Sequence, residues 1–224
     1  MNREDTLLLN HLAQFVSDHK KERVDQVIQS RTRHLTVVLD DIHNSQNASA
    51  AIRTCECFGI QDIHIVEGRV PYKVNPYVLK GSKKWLDLKT YSPTSKGPRW
   101  HETLKESGYK IIATAPAAQA VSIHDLDVTE KFAVVFGNEL NGVSDETLQY
   151  ADACVTIPMV GFTESFNISA SVAICLSTWI TKINALRLEV GLSSSEMEKI
   201  KLDWYRAIVK RSDLIESEFL RSIH

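Results

Sequence analysis

Three short stretches of the sequence concentrate residues that can do chemistry: HNSQNASAAIRT (43–54), FGNELNGVS (136–144) and IPMVGFTESFNIS (157–169). They supply side-chain amides from Asn47, Asn138, Asn141 and Asn167, and accessible backbone groups around Gly137, Gly142 and Gly161. Apolar contacts come from Leu140, Ile157, Met159 and Phe166. That mixture suits an uncharged aromatic base with its ribose better than a triphosphate. Taken singly, the same residues also serve as plain turns: Pro158 ends a strand's ladder, and Asn47, Ser165 or Asn167 would cap a helix.

Several chemistries are excluded by what the sequence lacks. No GxGxxG follows the first strand, and GxxxxGK[ST] and GxSxG are absent, against a common dinucleotide enzyme, a P-loop NTPase and an α/β-hydrolase. The eight histidines form no HExxH or similar spacing. Cys55 and Cys57, two apart on a predicted helix, diverge by about 200° and make a poor metal clamp. With Cys154 in a strand and Cys175 in an apolar helix, the four cysteines read as buried reduced thiols, and no metal is expected.

The formal charge of −2 conceals an asymmetry. Between Arg69 and Lys110 lie ten basic residues (Arg69, Lys73, Lys80, Lys83, Lys84, Lys89, Lys96, Arg99, Lys105 and Lys110) against three acids, Asp87, Glu102 and Glu106. The rest of the chain is therefore net acidic. Tyr72, Tyr77, Trp85, Tyr91 and Trp100 interleave with these cations. A charge run is ordinarily a solvated face, but cations mixed with aromatics also suit a polyanion whose bases can stack, which is nucleic acid. Lys73, Lys80, Lys83, Lys84 and Arg99 are the candidate contacts.

The elements that must position these loops follow from periodicity. At 224 residues, 43% hydrophobic and 24% charged, the chain suits one domain of roughly 150 residues with extensions. Helical spacing runs over 3–31, and strands are predicted at 35–42, 62–68, near 86–90, at 109–115, 131–137 and 153–157. Helices are predicted from about Asn47 to Gly59, near 76–83, at 98–107, near 144–150, from about 167 and over 194–212. Short, continuously apolar strands alternating with helices imply an α/β parallel sheet with helices on both faces. All three chemical stretches fall at carboxyl ends of strands, where such sheets bind ligands. The apolar stretch 168–183 is shorter than the ~20 residues a span needs and carries Ser and Thr throughout, so a buried helix, no membrane and a cytoplasmic protein are expected. The N-terminus has no uninterrupted apolar segment of the signal-peptide kind.

The ordered pattern Asn47-x-x-Ala50-x-x-Arg53-Thr54, Gly137-x-Glu139-x-x-Gly142 and Ile157-Pro158-Met159 followed by Ser165-x-Asn167-x-Ser169 resembles the three motifs of the SpoU branch of the SPOUT RNA 2′-O-ribose methyltransferases. Each motif alone is weak; the ordered trio is specific, and it covers about residues 35–183. The short extensions on both sides (1–33 and 185–224, around a domain at 34–184) look like those of the enzymes that methylate guanosine 18 of tRNA. The carboxyl-terminal helix with Trp204, Val209, Lys210 and Arg211 fits that subgroup without being diagnostic.

The resemblance implies a C-terminal deep trefoil knot, S-adenosylmethionine as cofactor, tRNA as partner, and a homodimer whose active sites lie at the interface. It implies Arg53, Asn47, Glu139, Ser165 and Asn167 as catalytic residues, with Phe136, Gly137, Gly142, Ile157, Met159, Phe166 and Asn167 around the cofactor. Glu139 would hold the geometry by bonding loop amides or Arg53. The role of Arg53 stays open between proton acceptor and orienting group, because a guanidinium ordinarily only donates; a surface pair with Glu56 is the alternative. The implied reaction is methyl transfer to a ribose 2′-OH of the D-loop guanosine at position 18. The alternatives are an rRNA guanosine, a tRNA wobble nucleotide, or a non-catalytic RNA-binding protein. No separate N-terminal RNA-binding domain is read, against rRNA, and the two extensions stand against the wobble nucleotide.

Overall fold

The computed structural model describes residues 1–68, 72–73, 75–94, 97–115 and 120–223. Its chain forms two compact units: Arg33–Val190, and the flanking segments up to Thr32 and from Gly191.

In the larger unit every strand is parallel to its neighbours. The strands are β1 (Leu35–Asp40), β2 (Asp62–Val66), β3 (Asp87–Tyr91), β4 (Lys110–Thr114), β5 (Val121–Ser122), β6 (Phe132–Phe136) and β7 (Ala153–Thr156). The sheet order is β3-β2-β1-β6-β4-β7-β5. The two-residue β5 carries no sequence pattern and is not foreseen. The remaining predicted strands are present; five are shorter than read, and β3, at Asp87–Tyr91, keeps its length but lies one position later than 86–90. β1 and β6 pair from Leu35↔Phe132 to Leu39↔Phe136, so the loops that follow them leave the sheet side by side.

Alternation on β1 divides the core into two faces. Leu35, Val37 and Leu39 point toward α3 (Ser45–Cys57) and α7 (Ile168–Ala185), which pack on each other. Ala51, Ile52 and Cys55 from α3 join Val172, Cys175, Leu176 and Trp179 from α7 in that cluster. Val38 points the other way, with Trp100 and Leu104 of α5 (Trp100–Glu106). Helix α7 is long and apolar enough to cross a membrane by length and composition. Ile168, Val172, Cys175, Leu176, Trp179 and Ile183 are instead the core side of a helix lying on a sheet, and its exposed and half-exposed positions mix Ser and Thr with Ala170, Ala173, Ile174 and Ile180.

Two other elements complete this unit: α4 (Pro76–Leu79), followed by a 3-10 turn over Ser82–Trp85, and α6 (Asp145–Tyr150). The predicted helix near 76–83 is therefore two short pieces. They are separated by left-handed backbone at Lys80 (φ 47) and Gly81 (φ 84), which no α-helix can run through.

The second unit is helical: α1 (Arg3–Ala13), α2 (Asp18–Ile28), α8 (Ser194–Ile208) and α9 (Ser212–Ile223). The single helix predicted over 3–31 is two helices. Its apolar spacing continues across a break that begins at Gln14, and a new start lies at Ser17. The helix predicted over 194–212 ends at Ile208, because Val209 is already extended (φ -78, ψ 123); Arg211 is left-handed (φ 56), and α9 follows. Leu8, Leu12, Ile28, Ile200, Trp204 and Tyr205 are buried here, and the Arg31 guanidinium lies 5.3 Å from the Trp204 ring centre.

Candidate active site

The three chemical stretches follow β1, β6 and β7, and their side chains meet. Asn44, not Asn47, caps α3: its Oδ1 accepts from the backbone N–H groups of Gln46 (2.8 Å) and Asn47 (3.3 Å). The expectation that Asn47 caps the helix is thus corrected. A third-position residue has its N–H satisfied by the cap, and its side chain stays free to reach sideways. Asn47 Nδ2 donates to Glu139 Oε1.

Asn167 does cap its helix. Its Oδ1 accepts from Ser169 N–H (2.9 Å) and Ser169 Oγ–H (2.7 Å), while its Nδ2 donates to Asn47 Oδ1 at 3.1 Å. The chain Ser169→Asn167→Asn47→Glu139 runs in one direction. An ionised carboxylate only accepts, so the amide of Asn47 must turn its NH2 toward Glu139 and its oxygen toward Asn167. That fixes the orientation of Asn167 in turn. One carboxylate thereby holds the first turn of α3 directly and, through Asn47, the cap of α7.

Glu139 bonds Asn47, rather than loop amides or Arg53. The loop amides are served by its neighbour: buried Asn138 Oδ1 accepts from Leu140 N–H (3.0 Å) and Asn141 N–H (2.8 Å). Asn138 and Gly142 also pair through their backbones in both directions, at 3.0 and 2.9 Å. This closure sets a hard condition on Gly137. A Cβ there would lie 1.9 Å from the Gly142 carbonyl carbon and 2.0 Å from its oxygen. Gly142 itself has φ 70. Both glycines read as cofactor contacts thus have a structural reason of their own, and the roles are compatible.

Sequence reading missed Asp40, which anchors this loop from below. Buried at the end of β1, its Oδ2 accepts from Ser144 N–H (2.8 Å) and Thr147 Oγ1–H (2.7 Å) at the start of α6. The signal was available: an acid closing a fully buried strand requires a donor partner.

Arg53 is exposed on α3, six residues and so about 9 Å of helix axis beyond Asn47. It forms no ion pair with Glu56 and no hydrogen bond among the described residues. Ser165 is exposed in the loop and does not cap α7, which corrects the expectation that it would. Phe136 is buried, so only its backbone can reach a ligand. Ile157 is half-buried, whereas Met159, Val160, Phe162 and Phe166 are exposed on one stretch of loop. Cys57 is exposed, against the reading of all four thiols as buried. Burial pushes the Cys175 thiol up to about 12, so it is no nucleophile. No group of His, Cys, Asp or Glu able to hold a metal occurs among the described residues.

The basic stretch divides into two. Lys89 pairs with Asp62 (3.4 Å), Arg99 with Glu146 (2.8 Å), Lys105 with Asp152 (3.7 Å) and Lys110 with Glu130. Lys73, Lys80, Lys83 and Lys84 are exposed and have no acidic partner among the described residues. Arg69 and Lys96 lie outside the described residues. Arg99 also lines a cavity of about 350 Å³ with Val66, Glu67, Tyr91, Trp100 and Glu146, which none of the other candidates enters.

Residues 34–177 match the SpoU rRNA Methylase family. A tRNA (guanosine(18)-2′-O)-methyltransferase of Borreliella burgdorferi is 39% identical over 206 residues, 92% of this chain and 93% of the relative. The A. aeolicus TrmH/SpoU tRNA modifying enzyme superposes with a TM-score of 0.77 at 29% identity, over 87% of this chain and 98% of that one. An AdoMet-bound rRNA methyltransferase from Sinorhizobium meliloti shares the fold, with a TM-score of 0.58 at 21% identity, covering 70% and 59% of the two chains. With the three motif loops gathered at the carboxyl ends of β1, β6 and β7, the chain belongs to the SpoU methylase family.

Proposed function

We propose that the protein transfers a methyl group from S-adenosylmethionine to the ribose 2′-OH of a tRNA nucleotide, the D-loop guanosine at position 18. One observation carries this reading: the hydrogen-bonded chain Ser169–Asn167–Asn47–Glu139 ties the family's three loops into one corner. The Borreliella relative, similar over nearly its whole length, is named for that nucleotide.

The residues fit the cofactor. The loop 157–167 is rich in backbone groups and exposed apolar side chains (Met159, Phe162, Phe166), a wall for an adenine ring rather than for phosphates. Backbone at Phe136, Gly137, Gly142 and Ile157 completes the cradle. When bound, S-adenosylmethionine supplies a methyl on a sulfonium that is already electrophilic, so the protein need not form a covalent intermediate. What the chain must do is hold the ribose hydroxyl in line. Arg53 meets that hydroxyl and the neighbouring phosphate: either it takes the hydroxyl proton as a deprotonated guanidine, or it orients the hydroxyl with its donor fork and the proton leaves to solvent. Asn47, Asn167 and Glu139 fix the corner, and Ser165 positions phosphate from the loop.

The exposed run Met159–Phe166 and the small residues Ser169, Ala170, Ser171 and Ala173 of α7 support a homodimer with the sites at its interface. By family likeness the C-terminal part of the 34–184 domain is a deep trefoil knot, flanked by helical extensions at 1–33 and 185–224, and the enzyme works in the cytoplasm. A catalytically silent RNA-binding protein is the competing reading. Calorimetry separates them: S-adenosylmethionine is expected to bind at micromolar concentrations, and no binding at millimolar cofactor sinks the enzymatic assignment.

A further inference from the structure

The short element after β2 carries chemistry that the methyl-transfer corner does not use. Residues 69–86 contain no acid in the sequence. Within them α4 is pinned from three directions. Asn75 caps it, accepting from Tyr77 N–H at 3.0 Å, and Pro76 at its first turn fixes the backbone. Asn75 N–H donates to Ser49 Oγ at 2.7 Å, and Ser49 is fully buried on α3, the helix that carries Asn47 and Arg53. Leu79 and Ser82 are buried beneath, with Ser82 Oγ–H donating to Leu79 C=O at 2.5 Å. What this anchored piece turns outward is Tyr77, 90% exposed, together with Lys80, Lys83 and Lys84.

Lys80 is the informative position. It ends α4 in the left-handed region, φ 47 and ψ 34, where glycine or asparagine is the usual occupant. A lysine there is strained, and nothing in the fold calls for its side chain, which has no partner among the described residues. A rigidly held aromatic face beside unpaired cations is the arrangement that stacks a base while tracking its phosphates.

We propose that Tyr77 is a stacking platform for an unpaired base of the substrate RNA and that Lys80 binds a phosphate beside it. The proposal rests on the RNA reading above and deepens it, since the platform stands on the catalytic helix α3. A surface that took duplex RNA would need only the cations.

The test measures binding of an unmodified tRNA transcript, its salt dependence, and thermal stability for Tyr77→Ala, Tyr77→Phe and Lys80→Gly. Tyr77→Phe keeps the ring and is expected to bind within twofold of the parent. Tyr77→Ala is expected to lose about 5- to 100-fold in affinity with the salt slope unchanged. Lys80→Gly should weaken binding and reduce the slope by about one, while its Tm holds or rises because the left-handed strain is relieved. A short RNA duplex should bind the parent and Tyr77→Ala alike. Tyr77→Ala binding tRNA within twofold of the parent overturns the platform, as does an equal loss in Tyr77→Phe. An unchanged salt slope in Lys80→Gly removes the phosphate contact. If the parent methylates no tRNA, the functional reading fails first; if it does and Tyr77→Ala keeps the parental KM, only this inference fails.

Discussion

Arg53→Ala is expected to lower the rate of methyl transfer by about 10²–10⁴-fold, the range for a positioned group acting on the transferred proton or its hydroxyl. The structure gives a reason to expect this without a fold defect. Arg53 is exposed on α3 and has no hydrogen bond or ion pair among the described residues, so its removal leaves no orphaned partner. Stability should change by less than about 0.5 kcal/mol, and cofactor affinity should stay near the parental value. Arg53→Lys should recover little, since an ammonium does not reproduce a planar donor fork. Full activity in the alanine variant would show that the corner has been assigned to the wrong helix face.

Gly137→Ala should have the largest effect on the site's architecture. The new methyl would sit 1.9 Å from the Gly142 carbonyl carbon and 2.1 Å from Val143 N, with backbone on both counts and no flexible side chain to move. The Asn138–Gly142 closure must open, releasing Asn138, Gly142 and the Glu139 that they present. A cost of about 3 kcal/mol or more follows, or roughly 6–12 °C in Tm. S-adenosylmethionine affinity should fall at least tenfold by calorimetry if the loop opens locally instead. Gly161→Ala is the matched control: the nearest atom to its Cβ would be Thr163 N at 3.9 Å, so little change is expected. Parental stability and cofactor affinity in Gly137→Ala would mean that the loop closes differently from the arrangement described.

The parallel sheet and the loops at its strand ends were legible because buried strands read as apolar runs and Pro158, Gly59 and Gly108 punctuate them. The capping of α3 was not. Asn44, Ser45 and Asn47 can all cap, and the choice depends on where β1 ends, at Asp40, rather than on the residues themselves. The bond from Asn47 to Glu139 spans 92 residues, and no local spacing encodes it. The same holds for the basic stretch. Lys89, Arg99, Lys105 and Lys110 find their acids at Asp62, Glu146, Asp152 and Glu130, so among the described residues the cationic run contracts to Lys73, Lys80, Lys83 and Lys84. The turn at Arg211 and the separate α9 escaped because helical spacing continues through a residue whose backbone does not.

The three stitched loops are expected to methylate a ribose of tRNA. Mass-spectrometric mapping of an unmodified tRNA pool after incubation with labelled S-adenosylmethionine addresses it directly. One added methyl is expected on the ribose of the D-loop guanosine at position 18, and none with Arg53→Ala. A methyl on a base, on a ribose outside tRNA, or on no nucleotide at all would contradict it.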